Sequence, residues 1–253
     1  MNQITPTLIP INLHNPDEFS ALQTQRQQCG WDFTDNALLA WRQKQDAQLK
    51  SFFWITIPSS SSPSDGPIRA GHISLDSYAD PPDQELARED RHILTIQNFF
   101  VAPQYRAFGV GRAAMDQLEA MATQEPYGSR ACQYLAVTTK TKRYYYDEDA
   151  PGIEGTGIWA ATGEERPKFS TVDWYERRGY VCWKSEARWP TTTTDGHPVM
   201  IVADFMRKGV SAKGQVNYSD DEEEKEKEKK WWWSWGILSL SVVGLAVVWW
   251  RRK

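Results

Sequence analysis

The most constraining stretch of this chain is ILTIQNFFVAPQYRAFGVGRAAMDQLEAMA, residues 93–122. Its first part reads as a long strand over residues 93–103, stopped at Pro103 because proline cannot donate to a sheet ladder. A glycine-bearing loop follows at once, and Val110, Ala114, Leu118 and Met121 then recur at helical spacing until Tyr127-Gly128 closes the segment. CQYLAVTT, residues 132–139, is the next strand, and the connection is long enough to be a parallel crossover. Such a unit commits the chain to an α/β fold.

The remaining pattern fits around that unit. Residues 4–13 read as a strand, and Asn15-Pro16-Asp17-Glu18 offers an N-cap, a proline at the first helical position and a capping-box glutamate. The helix beginning there buries Phe19, Leu22 and Cys29 and ends at Gly30, and a second helix starts from Thr34, carrying Leu38, Trp41 and Leu49. Residues 51–58 and 68–78 are apolar strands joined by SSSSPSDG, and a polar stretch spans Asp80 to Asp90. Two final strands are expected near Tyr180 to Trp189 and Val199 to Met206.

The loop RAFGVG, residues 106–111, lies between a strand end and a helix start, where unpaired N–H groups and the helix dipole favour an anion. Glycines at 109 and 111 allow a phosphate to approach the backbone. Neither the Walker loop nor the three-glycine dinucleotide fingerprint fits, so a different phosphate ligand is implied. A net charge of −4 argues against nucleic acid as a partner. The four histidines share no ligand spacing and are expected on strand ends or loops, so no metal is predicted. Three cysteines without CxxC spacing read as buried apolar residues in a reducing compartment.

VAPQYRAFGVG resembles the acyl-CoA-binding pattern of the GNAT superfamily, Arg/Gln-x-x-Gly-x-Gly/Ala after a Val-x-Pro strand end. STVDWYERRGY, residues 170–180, is similar to that family's second hallmark, a helix ending Tyr-Glu-x-x-Gly-Tyr/Phe. The resemblance implies a mixed sheet of six or seven strands with splayed central parallel strands and flanking helices. It further implies acetyl-CoA as co-substrate, with Arg106, Ala107, Phe108, Gly109, Val110 and Gly111 holding the pyrophosphate and the backbone of Phe99, Phe100 and Val101 pairing with pantetheine. A backbone N–H around Phe99 or Phe100 would polarise the acetyl carbonyl, and Tyr175 would be the general acid beside the sulfur. The implied reaction is acetyl transfer to a primary amine, on a small molecule or a peptide, by direct attack.

Where many relatives carry a glutamate on the strand before the loop, this chain has LTIQNFF, and Gln97 and Asn98 cannot take a proton. A base is then expected elsewhere, from the Asp147-Glu148-Asp149 cluster or a water relay. The same departure keeps a second reading open: a CoA-binding module or adaptor with little or no turnover. Residues 140–169, TKRYYYDEDAPGIEGTGIWAATGEERPKF and its preceding lysine, form a long insertion rich in aromatics and acids. They are expected to shape an acceptor pocket favouring a cationic amine.

After the acyltransferase-like domain, residues 1–208, a mixed-charge tether is expected over 209–230. WWWSWGILSLSVVGLAVVWW, residues 231–250, carries no charge, is flanked by basic residues and is long enough for a transmembrane helix. The N-terminal residues lack a secretory pattern, so the expected arrangement is tail-anchored, with the enzyme domain facing the cytosol.

Overall fold

The computed structural model describes residues 5–59 and 66–211. The predicted membrane segment and most of its tether lie outside the described residues. Among those described, no helix is long and apolar enough to cross a membrane.

The elements run β1 (Thr7–Pro10), α1 (Pro16–Cys29), α2 (Asp35–Asp46), β2 (Lys50–Ile57), β3 (Ile68–Asp76), β4 (Ile93–Ile96) and β5 (Phe99–Val101). There follow α3 (Val110–Met121), β6 (Tyr134–Lys140), α4 (Arg143–Tyr146), α5 (Gly157–Thr162), α6 (Thr171–Glu176), β7 (Val181–Thr192) and β8 (Pro198–Gly209). The strands form one eight-stranded sheet in the order β1-β2-β3-β4-β6-β8-β7, with β5 also paired to β3. Only β4 and β6 pair in parallel, through the α3 crossover.

Both faces of the sheet are covered, which explains the unbroken apolar run of β2. Phe52 and Trp54 pack with Ile11, Leu13, Leu22 and Leu38 under α1 and α2. Phe53, Ile55 and Ile57 point the other way, into the larger core that holds Val110, Ala114 and Leu118 of α3 and Tyr175 of α6. The start of α1 follows the predicted cap: Asn15 Oδ1 accepts from Asp17 N–H, and Gly30, at φ 88, closes the helix. Glu18 reaches past the cap residue to accept from Asn12 N–H.

The predicted strand 93–103 is two strands. Pairing between β4 and β6 runs from Ile93↔Tyr134 to Ile96↔Val137 and stops. Gln97 and Asn98 interrupt the ladder, after which Phe99–Val101 pairs only with β3 and Thr138–Lys140 only with β8. The sheet therefore opens between β5 and the end of β6. The cause is polar and tertiary: Gln97 and Asn98 turn their side chains to partners on β2 and β3, described below.

The long insertion folds as a small core of its own. Tyr144, Tyr145, Ile158 and Trp159 of α4 and α5 pack on Ile201 of β8, with Trp159 Nε1–H donating to the Tyr144 carbonyl. Two of its acids are tied to neighbouring bases, Asp147 to Arg143 and Glu148 to Arg166. Two smaller expectations also change. His72 is fully buried in the middle of β3, while Cys182 is exposed and Cys29 half-buried, leaving Cys132 as the fully buried thiol.

Candidate active site

The loop after β5 has two left-handed residues, Ala107 at φ 66 and Gly109 at φ 79. Glycine takes that conformation without strain, whereas alanine does so at a cost. Gly109 is the N-cap of α3 and offers no side chain to it, and the helix ladder begins with Ala113 N–H donating to the Gly109 carbonyl. The N–H groups of Val110, Gly111 and Arg112 thus point out of the helix start, the arrangement that attracts phosphate. Phe108 stands half exposed at the tip.

Gly111 also lets α3 lie close on β5, since a Cβ there would fall 3.3 Å from Phe99 Cζ and 3.5 Å from Val101 Cγ2. Arg106 turns back on the strand: its Nε–H donates to the Val101 carbonyl at 2.8 Å and its guanidinium lies 5.7 Å from the Phe100 ring centre.

Strand alternation determines which backbone groups of β5 face the opening. The Asn98 carbonyl accepts from Ser74 N–H at 3.0 Å, and Ala102 N–H donates to the Ala70 carbonyl at 2.9 Å, so residues 98, 100 and 102 face β3. With a period of two, the amide groups of Phe99 and Val101 face away from β3, toward the gap. Of the expected backbone donors, Phe99 rather than Phe100 is therefore the one presented to the opening. Because Arg106 occupies the Val101 carbonyl, the Phe99 N–H and carbonyl and the Val101 N–H remain for a ligand.

Tyr175 sits on the α3 side of the sheet. Its helix is capped by Ser170 Oγ, which accepts from Asp173 N–H at 3.3 Å, and is fastened to the end of β6 by a bond between the Thr139 and Thr171 hydroxyls. Arg178 holds the same region to α3 through Asp116 at 2.7 Å and Glu119 at 3.1 Å. The Tyr175 ring meets Trp174 and Tyr180 edge-on at 5.0 and 5.4 Å, and Trp174 in turn lies 5.9 Å from Phe99. Burial pushes the Tyr175 phenol well above its ordinary pKa, with Arg178 opposing and Glu119 adding to the shift. It is protonated at neutral pH.

On the opposite face a cavity of about 590 Å³ reaches the same gap. Its wall combines Trp31, Asp32 and Trp41 from the α1–α2 region, Tyr78 and Asp80 after β3, Gln97, Asn98 and Phe99 at the strand break, Thr138 and Thr139 of β6, and Trp189 of β7. Of the insertion, residues 140–169, only Lys140 at its first position lines this cavity, and no residue between 144 and 165 does. The aromatic cluster that does was signalled by GWDF, which directly follows the first helix. Asp147, Glu148 and Asp149 are likewise absent from the lining, whereas Asp32 and Asp80 belong to it.

Beneath that wall lies a buried ion pair. Lys50 Nζ is 2.8 Å from Asp76 Oδ2, and neither side chain is exposed to solvent. Lys50 also donates to Asn98 Oδ1 at 2.6 Å and Ser74 Oγ at 3.3 Å, while Gln97 Nε2 donates to Asp76 Oδ2 at 2.9 Å and to the Tyr78 carbonyl at 2.8 Å. Burial pushes the lysine down and the carboxyl up, each restrained by the other's charge.

A sheet split after a parallel pair, a bare helix start beside the split and a buried tyrosine across it define a nucleotide-thioester acyltransferase scaffold. Residues 20–145 match the family model described as Acetyltransferase (GNAT) family, and the chain belongs to that family, whose members are acetyl-CoA-dependent N-acyltransferases. Among solved structures, it is similar in fold to Arabidopsis thaliana NAA60 in complex with a bisubstrate analogue, at 12% identity and a TM-score of 0.51, covering 82% of this chain and 100% of that one. The same Arabidopsis protein in complex with acetyl-CoA gives 12% identity and a TM-score of 0.50, covering 81% and 98%. No curated protein matches the sequence.

Proposed function

We propose that this protein transfers an acetyl group from acetyl-CoA to a primary amine held in the cavity lined by Trp31, Trp41 and Trp189. The observation that carries this reading is the gap between β5 and β6, which joins the bare amides at the start of α3 to that cavity. Acetyl-CoA supplies an activated thioester: the amine nitrogen bonds to its carbonyl carbon, the C–S bond breaks, and the sulfur leaves with a proton.

The chain's own residues divide the remaining work. Val110, Gly111 and Arg112 N–H groups, with the loop from Arg106 to Gly109, bind the pyrophosphate. The free edge of β5 aligns the pantetheine, and Phe99 N–H donates to the carbonyl oxygen. Tyr175 gives its proton to the departing thiolate and is reprotonated by the proton the amine releases through solvent. Asp32 and Asp80 stand in the cavity wall together with Arg26, Lys44 and Lys140, so the wall offers an acceptor charges of both signs.

Tyr175→Phe tests the assignment, with thiol release followed across a panel of primary amines. A loss of about 10²-fold or more in kcat, with coenzyme A affinity unchanged, is expected of a general acid. Wild-type domain that binds coenzyme A and acetylates no amine supports the alternative, a binding module without turnover.

The same proposal extends to the tail: residues 231–250 act as a membrane anchor on the tether 209–230, with domain 1–208 facing the cytosol. The uncharged run bounded by tryptophans and basic residues supports it. Removing residues 219–253 is expected to release the protein from membranes, and a truncated chain that still pellets with them rejects the anchor.

A further inference from the structure

We infer that the Asn98 side chain is a second donor to the acetyl oxygen, built into the strand break and oriented by the buried Lys50–Asp76 pair. The inference rests on the acetyl-transfer reading above and assigns this residue a direct role in it.

Asn98 is 6% exposed, yet it lines the cavity. Its Oδ1 faces Lys50 Nζ at 2.6 Å, with Ser74 Oγ at 3.5 Å. A lysine ammonium has only hydrogens to offer, so the carboxamide must present its oxygen to Lys50 and cannot be flipped. The Nδ2 group is therefore turned away from the pair, and it has no partner among the described residues. Nδ2 is open to the cavity rather than sealed within the protein, so its two hydrogens are free to meet a ligand oxygen there.

Gln97, the neighbouring carboxamide, is in the opposite condition. Its Nε2 hydrogens go to Asp76 and the Tyr78 carbonyl, and its Oε1 accepts from Asp80 N–H at 3.2 Å. It braces the break and has no hydrogen left for a ligand. Asn98 has two, and the next N–H along the chain is that of Phe99, which faces the gap.

Two donors from adjacent residues, one backbone and one side-chain amide, form an oxyanion-stabilising pair when both are aimed at the same oxygen. The chemistry calls for this support, because negative charge gathers on the carbonyl oxygen while the C–N bond forms. The charge returns to the sulfur as the C–S bond breaks, so the donors gain nothing from the products and act mainly on the transition state.

The ion pair explains the arrangement. A buried lysine–aspartate pair stabilises a fold no more than apolar residues of the same volume would. Placed here, Asp76 fixes Lys50, and Lys50 in turn fixes which end of Asn98 enters the cavity. Lys50 is thus a positioning residue and Asn98 the catalytic one.

The test uses the full domain with two replacements, Asn98→Ala, which removes the amide, and Asn98→Asp, which keeps an oxygen for Lys50 and loses the donors. Thermal unfolding and coenzyme A calorimetry establish that each variant is folded and binds. Both are expected to lose roughly 10²- to 10³-fold in kcat with KM for the amine and Kd for coenzyme A nearly unchanged, the pattern of a contact made in the transition state. A second readout needs no turnover: the Asn98 side-chain amide resonance of wild-type protein is expected to move on adding acetyl-CoA and to stay in place with coenzyme A, which lacks the carbonyl. A raised KM for the amine with kcat intact would make Asn98 an acceptor contact and overturn the inference. Losses below about threefold in both folded variants, or an equal resonance shift with both ligands, overturn it too.

Discussion

Gly111→Val is the most informative single perturbation of the cofactor loop. A Cβ at this position already lies 3.3 Å from Phe99 Cζ and 3.5 Å from Val101 Cγ2, and valine adds two methyls about 1.5 Å further out. Those methyls extend into the space held by the two β5 side chains, so the helix start must lift or the strand must shift. Overpacking of this kind costs about 1–3 kcal/mol of stability. The greater effect is on the ligand: lifting the helix withdraws one charge-assisted amide bond to phosphate, worth about 1.5–3 kcal/mol, or roughly a 10- to 150-fold weaker Kd for coenzyme A. Gly111→Ala places only the Cβ and is expected to weaken binding by less than about tenfold. Calorimetry with coenzyme A, paired with thermal unfolding, reads both quantities. A folded valine variant that binds within about twofold of wild type refutes the placement of pyrophosphate at this helix start.

Two further outcomes follow from buried groups. Because burial raises the Tyr175 pKa, its proton is retained as pH rises, so kcat is expected to climb through deprotonation of the acceptor amine and then hold level to about pH 10; an alkaline fall centred near pH 8 to 9 that disappears in Tyr175→Phe contradicts this. Asp76→Ala leaves the Lys50 ammonium buried without its counter-charge and is expected to cost about 3–5 kcal/mol in urea unfolding, with Asp76→Ala/Lys50→Met recovering part of the loss; a single variant as stable as wild type denies the pair its buried, charged state.

Much of the architecture was readable from local chemistry. The Asn15 cap, the Gly30 stop, the apolar periodicity of α3 and the two motifs each depend on residues a few positions apart, and the structure retains all of them. The strand break was not readable, because Ile93 to Val101 is apolar enough to pass for one strand and the groups that divide it, Lys50 and Asp76, come from β2 and β3. The acceptor side was hidden for the same reason. Trp31, Trp41, Tyr78 and Trp189 are scattered over the chain and look like ordinary core aromatics until the fold gathers them round one cavity. The insertion was conspicuous by length and acid content, yet Tyr144, Tyr145 and Trp159 are consumed in packing against β8, and Asp147 and Glu148 pair with Arg143 and Arg166.

Amide hydrogen exchange, measured residue by residue with and without acetyl-CoA, addresses the shared premise of the site most directly. Occupation of the split sheet is expected to slow exchange at Phe99 and Val101 on the free edge of β5 and at Val110, Gly111 and Arg112 at the start of α3, while the β3-facing amide of Phe100 changes little. Saturating acetyl-CoA that leaves all five of those amides exchanging at their free rates contradicts the account.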